Sequence, residues 1–494
     1  MNIAQHLEVS ARHHANRPAL IAGERRWTYR ELDEAASTLA GGFAALGLKP
    51  GERLGLHLPN WPEFVLAYYA AQKIGLVPLS LNVTYKTDEL EYILCDAEAS
   101  AVITAAPAAA NLPARGRVPS LRHLLEAKDL ASLSGRPVRA LDLDRDETAA
   151  ILYTSATTGR PKGVMLTHGN IVSNAHATVH HLRMTPEDRG LCALPMFHCF
   201  GQNFILNALV TAGGALVLQE RFVVKEFVEA LARQRITLLY AVPTMYILFL
   251  SMEEPLDLSS IRLCFSAAAT LPVDVERRWS ERCGHRVTQG YGLTECSPFA
   301  SWNHDVDIRP GSVGTPIENV EMKIVDGQGR QVPDGALGEI VIKGPNVMKG
   351  YFGNRQATAE AIRDGWLHSG DIGYRDTDGY YFLVDRVKDM INVSGFKVFP
   401  REVEEILFRH EAVKEAAVIG VPDPLRGEAV KAFVVLHESK RVTAEALQTL
   451  CRDAIASYKV PETIEFVSAL PKNPTGKILK KELRQRAAIE WPRR

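Results

Sequence analysis

The sequence predicts an α/β protein: a large N-terminal domain of α/β subdomains that ends in a small β-rich unit, followed by a small α+β C-terminal domain. Three observations carry this expectation. Short apolar β-like runs alternate with amphipathic helical runs from the start of the chain, the pattern of layered α/β architecture. At 494 residues the chain exceeds the ~250 to 300 residues at which a single core usually stops growing, so two or three domains are needed. The texture then changes twice, near residue 311 and near Lys388.

The elements follow in order from periodicity. "PALIAGERRWTY" reads as a hairpin, "YRELDEAASTLAGGFAAL" as a helix, "RLGLHL" as a strand and "WPEFVLAYYAAQKIG" as a helix. The rhythm repeats in "ASAVITA", "ALVLQ", "ITLLYAV" and "IRLCFSA", each followed by helical or turn sequence. "APAAANLPARGRVP" is a Pro/Ala-rich surface loop. From about residue 311, "VEMKIVDGQGRQVPDGALGEIVIKG" and "DGYYFLVDR" give short strands punctuated by Gly and Asp. After "DRVKDMINVSGFKVFP" helix and strand return in "REVEEILFRH", "VKEAAVIGV", "KAFVVL" and a final helical run. The boundary therefore falls at Lys388, with domains over residues 1–387 and 388–494.

Composition narrows the function classes. Apolar residues make up 46% and charged residues 23% of a chain with 57 basic and 58 acidic side chains, a globular composition without a global field for nucleic acid or anionic membranes. Seven scattered cysteines without a C-x-x-C pair fit reduced thiols and a cytoplasmic location. No export signal precedes the first elements, so the chain is expected to start at Met1. Residues 200–218 carry no charge over about the length of a bilayer-spanning helix. Gln202, Asn203, Asn207 and the Gly213-Gly214 pair instead predict a buried helix, a Gly-Gly turn and a core strand.

Four stretches carry chemistry. "ILYTSATTGRPKG" sets Thr154, Ser155, Thr157, Thr158, two glycines and Lys162 behind an apolar strand, a set that can surround an anion with hydroxyls, backbone N–H groups and a positive charge. It lacks the Walker spacing. The alternative is an ordinary polar turn. "QGYGLTE" brackets Tyr291 with two glycines and follows with a hydroxyl and Glu295, a ring to stack on a base and an oxygen ligand for Mg²⁺. "WLHSGDIG" places Asp371 in a tight glycine-flanked turn, suited to a ribose diol, and "PKNPTGK" is a Pro/Gly loop ending in Lys477.

Together and in this order, these stretches resemble the adenylate-forming superfamily of acyl-CoA synthetases, peptide-synthetase adenylation domains and beetle luciferases, over essentially the whole chain. The resemblance implies ATP, Mg²⁺ and coenzyme A as cofactor and co-substrates. It implies that Thr154, Ser155, Ala156, Thr157, Thr158, Gly159 and Lys162 wrap the β and γ phosphates of ATP. Gln289, Gly290, Tyr291, Gly292 and Thr294 would hold adenine and the α-phosphate, with Ala268 beside the adenine; Glu295 would ligate the metal, and Asp371 and Arg386 would bind the ribose. Lys477 matches the lysine that assists adenylation, and with Thr294 and His198 forms the expected catalytic set. Lys388 matches the hinge on which a mobile C-terminal domain swings, and Ser394, Gly395, Phe396 and Lys397 match the loop that then faces the thiol of coenzyme A. Phe204, Tyr240, Met245 and Tyr246 would wall the acyl pocket beside His198. The P-x-x-x-x-G-K pattern at Lys477 resembles that around acetylated lysines in related synthetases, which implies a lysine acetyltransferase and deacetylase as partners.

The implied reaction explains the residue types. A carboxylate attacks the α-phosphorus and expels pyrophosphate, so negative charge accumulates where Lys477, the metal and the loop donors stand. The acyl-adenylate then meets a thiol, and a moving domain keeps water out between the two steps. Ala156 departs from the glycine usual in the loop; if φ is positive there, it costs roughly 1 to 2 kcal/mol. That departure motivates the alternative of a nucleotide-binding regulatory protein without turnover, against which Glu295, Asp371 and Lys477 speak. A luciferase-like oxygenase lacks any supporting feature. Apolar residues after "PTMY" and the small residues of "SAAAT" predict an apolar, fairly open pocket for a medium- to long-chain fatty acid, with an aryl or arylalkanoic acid as the alternative. Three other signals carry less. His176 and His180 lack the rest of a zinc motif, Cys199 reads as a small apolar wall residue, and the basic tail reads as a solvated helix end.

Overall fold

The structure, a computed structural model, describes residues 1–154, 160–438, 440–474 and 476–490. Among the described residues the strands form four sheets. One runs in the order Gly350–Tyr351, Lys162–Thr167, Thr148–Thr154, Val77–Ser80, Arg53–His57, Ala99–Thr104, His123–Glu126. Its inner strands are parallel, and Thr148–Thr154 turns back antiparallel into Lys162–Thr167. A second runs Thr315–Pro316, Ser301–Trp302, Val287–Tyr291, Leu263–Ser266, Leu238–Ala241, Arg189–Cys192, Ala215–Leu218, Pro18–Ala22, Arg25–Thr28. Val77–Ser80, Ala99–Thr104, Leu238–Ala241 and Leu263–Ser266 are buried at every residue, as parallel strands covered on both faces must be.

Local chemistry accounts for the opening elements. The expected hairpin is Pro18–Ala22 with Arg25–Thr28, antiparallel. The helix Tyr29–Ala45 starts with a capping box in which the Thr28 hydroxyl accepts from the Glu31 N–H and the Glu31 carboxylate accepts from the Thr28 N–H. The helix Pro62–Lys73 opens on proline, which needs no N–H partner there.

Residues 200–218 form a buried π-helix Phe200–Asn207, a short α-helix Ala208–Ala212, left-handed Gly213 (φ +74°) and the strand Ala215–Leu218. The buried helix, turn and strand are as expected; the π winding is not. The polar side chains inside it are mutually satisfied: Ser80 donates to Gln202 at 2.5 Å, Asn207 donates to the Asn203 oxygen at 3.2 Å and to the Tyr68 hydroxyl at 2.9 Å, and Tyr69 donates to the Asn207 oxygen at 2.9 Å. These bonds let three amides lie inside a core. Among the described residues no helix is long and apolar enough to cross a membrane.

The β-rich unit is a sheet of Glu321–Val325, Gly338–Lys343, Trp366–Arg375, Ile362–Arg363 and Tyr381–Arg386. It corrects one expectation: Asp371 sits within the long strand Trp366–Arg375, as the register partner of Arg386, and not in a tight turn. Left-handed Gly370 (φ +71°) is absorbed as an irregularity, with register shifts on both sides of the strand. The fourth sheet contains Phe396–Val398, Ile391–Val393, Gly427–Leu436, Val413–Asp423 and Thr463–Phe466. It has cores of its own, one beneath Pro400–Phe408 and Ala444–Ala454 and one beneath Lys480–Glu490. The described part of the basic tail, Lys480–Glu490, is a docked helix rather than a solvated end: Leu483 and Ala487 are buried, and Lys480, Arg484 and Arg486 pair with Glu404, Asp389 and Glu465.

Candidate active site

Thr154 ends one strand and Lys162 begins the next, as register partners. Ser155, Ala156, Thr157, Thr158 and Gly159 lie outside the described residues. The Lys162 ammonium stands 4.9 Å from the centroid of the Tyr351 ring, and the Tyr351 hydroxyl donates to Glu295 Oε1 at 2.9 Å. The short strand Gly350–Tyr351 pairs with Lys162–Thr167, and Met348 N–H donates to the Glu295 carbonyl at 2.8 Å. The phosphate-loop lysine and the expected metal ligand are thus stitched together by residues 348–352.

The second motif is placed by close packing. A Cβ at Gly290 would fall 2.3 Å from the Phe265 ring, and one at Gly292 would fall 1.6 Å from the Pro298 carbonyl oxygen, so neither position admits a side chain. The Gln289 side chain turns inward: its oxygen accepts from Leu271 N–H at 3.2 Å and its amide donates to Glu276 at 3.2 Å. It braces the strand from within. Burial, and then the Asp371 carboxylate, push the Tyr291 phenol well above its usual range, so it stays protonated and donates a hydrogen bond to Asp371 Oδ2 at 2.8 Å. Arg386 Nε pairs with the other Asp371 oxygen at 3.0 Å. Ala268 holds a left-handed φ of +70°, a strained conformation for a residue with a Cβ. Thr294 is buried in the short turn Thr294–Cys296 that carries Glu295.

Lys477 reaches this site from the fourth sheet's side. Its loop is closed by Lys477 N–H to Asn473 Oδ1 at 2.8 Å and Asn473 N–H to the Lys477 carbonyl at 2.9 Å. Left-handed Gly476 (φ +79°) lies against the start of the helix Pro243–Leu250, where a Cβ would meet Thr244 Oγ1 at 2.8 Å. Burial, and then the Arg386 guanidinium, lower the Lys477 ammonium to about 8, with Asp371 opposing. Burial, and then the Lys477 charge, lower His198 to about 4, so its imidazole is neutral at pH 7; its Nδ1 accepts from Phe200 N–H at 3.2 Å. Lys388 lies in the turn Val387–Asp389 just after Arg386. Ser394, Gly395, Phe396 and Lys397 form an exposed turn with positive φ at the first two; the Phe396 ring stacks on Tyr458 at 4.8 Å. Lys477 faces the cleft while this turn faces solvent.

The expected acyl pocket is only partly assembled. Phe204 packs on Phe265 at 4.6 Å, Phe299 at 5.0 Å, Phe200 at 5.3 Å and Tyr240 at 5.9 Å. Three of these rings meet Phe204 edge-on and Phe265 meets it tilted. Tyr240 is fully buried and its hydroxyl has no partner among the described residues. Tyr246 turns away, its ring edge-on to Trp279 at 4.9 Å and its hydroxyl donating to the Phe265 carbonyl at 3.2 Å, so it belongs to the helix packing. Met245 is buried on the same helix. Cys199 is buried, accepts from Asn203 at 3.3 Å, and is held as a thiol by burial. His176 packs on His6 at 5.0 Å, and among the described residues no three His, Cys, Asp or Glu cluster as metal ligands.

Glu295 fits a hard cation by its chemistry. It is half-buried, accepts one hydrogen bond from a neutral phenol, and makes no ion pair among the described residues, so a carboxylate charge is left for an oxygen-seeking ion. Sequence reasoning missed Tyr351 and Glu276. Each works by proximity across distant segments, which no local motif records.

Comparison with known proteins agrees with this assembly. Residues 7–352 match the family model of the AMP-binding enzymes, and residues 402–477 match that of the AMP-binding enzyme C-terminal domain. A feruloyl-CoA synthase of Amycolatopsis is 38% identical over 472 residues, 95% of each chain. A long-chain-fatty-acid–CoA ligase of Salmonella typhimurium is 34% identical over 98% of this chain and 94% of its own. The crystal structure of an anthranilate CoA ligase in complex with anthranoyl-AMP superposes with a TM-score of 0.94 at 32% identity, over 99% of this chain and 98% of that one. With two domain models covering most of its length and a site of matching chemistry, the chain belongs to the AMP-binding enzymes, as an AMP-forming acid-CoA ligase.

Proposed function

We propose that the acid is a compact aromatic or arylalkanoic carboxylic acid. The observation that carries this reading is the ring cluster of Phe200, Phe204, Tyr240, Phe265 and Phe299. Aromatic faces and edges favour contact with another ring. The similar feruloyl-CoA synthase and anthranilate CoA ligase act on ring acids. A medium- to long-chain fatty acid is the second reading, favoured by the long-chain-fatty-acid relatives. Rates of AMP release from butanoate to hexadecanoate, beside benzoate, cinnamate and ferulate, separate the two. Fastest turnover on a ring acid supports the first; kcat/KM climbing with each added methylene supports the second and ends the first.

In this reading His198, neutral and beside Lys477, borders the carboxylate, which attacks the α-phosphorus. Lys477 stabilises the charge that develops on the α-phosphate. Thr154 and Lys162 hold the outer phosphates with the intervening loop, Gly290 to Gly292 and Thr294 the adenosine and α-phosphate, and Ala268 flanks the base. Asp371 accepts from the ribose hydroxyls while Tyr291 and Arg386 fix its orientation. Glu295 would hold Mg²⁺, which supplies positive charge to the departing pyrophosphate. Residues 388–494 then swing about Lys388, withdrawing Lys477 and presenting the turn 394–397 to the thiol of coenzyme A. Acetylation of Lys477 would abolish the charge adenylation needs, and would require the swung orientation, since the docked lysine is enclosed.

A further inference from the structure

The ring of Tyr351 lies between two groups of opposite charge that the reaction requires to be separate. On one side stands the Lys162 ammonium, 4.9 Å from the ring centroid, and on the other Glu295 Oε1, 2.9 Å from the phenol oxygen. The backbone that carries the ring is pinned. Tyr351 is the register partner of Val164, Tyr351 N–H donates to Thr358 Oγ1 at 2.9 Å, and Phe352 N–H donates to the Gly163 carbonyl at 2.7 Å.

From this geometry we infer that Tyr351 is a positioning residue that keeps Lys162 and Glu295 from forming an ion pair with each other. The ring face holds the ammonium by its negative quadrupole, and the hydroxyl satisfies one carboxylate oxygen without neutralising it. The lysine stays available to phosphate and the second carboxylate oxygen to the metal. If the ring were lost, the two side chains would close on each other and both functions would fall together. The inference rests on the assignment of the ATP and Mg²⁺ sites and is independent of the acid.

The test is calorimetric titration of a non-hydrolysable β,γ-methylene ATP analogue, at low and high Mg²⁺, into the full-length enzyme and three variants. No acid or turnover enters, so failure here is distinct from failure of the proposed acid. Tyr351→Phe keeps the ring and loses the hydroxyl; its affinity should fall about tenfold at low Mg²⁺, the loss of one charge-assisted hydrogen bond, and recover at high Mg²⁺. Tyr351→Leu should lose more, at both Mg²⁺ concentrations. Adding Lys162→Met to Tyr351→Leu should restore the response to Mg²⁺ by freeing Glu295. Wild-type binding in Tyr351→Phe, or a Tyr351→Leu/Lys162→Met response no better than Tyr351→Leu alone, would overturn the inference. Should Tyr351→Leu fail to fold, the Mg²⁺ dependence of Tyr351→Phe decides it.

Discussion

On the side proposed for the nucleotide, charged groups are held by specific partners: Lys162 and Glu295 around one ring, Asp371 between Tyr291 and Arg386. On the acid side, apolar rings close on one another behind a π-helix, and the polar groups nearby are satisfied internally. The first side is specified by residue type, because phosphate, ribose and metal each demand particular charges and donors. The second is specified by packing, because an apolar ligand asks only for volume and shape. A substitution on the nucleotide side should therefore change chemistry at constant selectivity, and one on the acid side the reverse.

The sharpest way to break that contrast is Lys477→Ala. Acyl-AMP formation should fall by roughly 10² to 10³, while synthetic acyl-AMP and coenzyme A are still joined at near the native rate. Stopped-flow assays of the two half-reactions decide it, and an equal loss in both would place Lys477 outside adenylation. Gly476→Ala probes the same loop where it touches the acid side: a strained φ and a 2.8 Å approach to Thr244 should cut adenylation about tenfold. AMP binding to this variant, measured directly, should not change.

Phe204→Ala tests the other half of the contrast. It should remove about 3 to 5 kcal/mol of stability, seen in denaturant titration, and shift selectivity toward bulkier acids by about tenfold without altering the KM for ATP. A changed KM for ATP with unchanged selectivity would mean the two sides are not separable. The pH dependence is a gentler probe. Lys477 is lowered to about 8 in the free enzyme, so its protonated form is lost as pH rises through 8, and kcat/KM for ATP should decline above that pH. Lys477→Arg should lack this limb, since a guanidinium stays charged. The smallest effect is expected for Ala268→Gly, which relieves a left-handed alanine worth about 1 kcal/mol against the entropy glycine adds to the unfolded chain. Thermal unfolding should shift by a degree or two, and the KM for ATP by less than about twofold.

The same contrast explains how much was legible in the sequence. The hairpin at residue 18, the parallel strands and the separate C-terminal sheet follow from apolar periodicity, which burial imposes directly. Lys162, Glu295, Asp371 and Lys477 stand out in the sequence because a glycine lies within three residues of each, whereas Arg386 has none beside it and is singled out only through the family resemblance. Asp371 was placed in a turn because Gly370 next to it suggested one; the sheet absorbed that glycine as an irregularity, which only its neighbouring strands could decide. The π winding of Phe200–Asn207 leaves no trace in a 3.6-residue period. The inward turn of Tyr246 depends on Trp279, and the placement of Tyr351 on a strand pairing nearly two hundred residues away in the chain.

Lys477 is buried near a second positive charge, the Arg386 guanidinium. Lowering an ammonium from 10.5 to about 8 amounts to a docking cost on the order of 3 kcal/mol at neutral pH. The phosphates of ATP are the counter-charge that cancels it. Nucleotide arrival should draw the lysine loop inward, and the departure of pyrophosphate should push it out again before the thiol needs the space. The lysine would then act as a timing device as well as a catalyst, with the order of the two half-reactions written into when its charge is welcome.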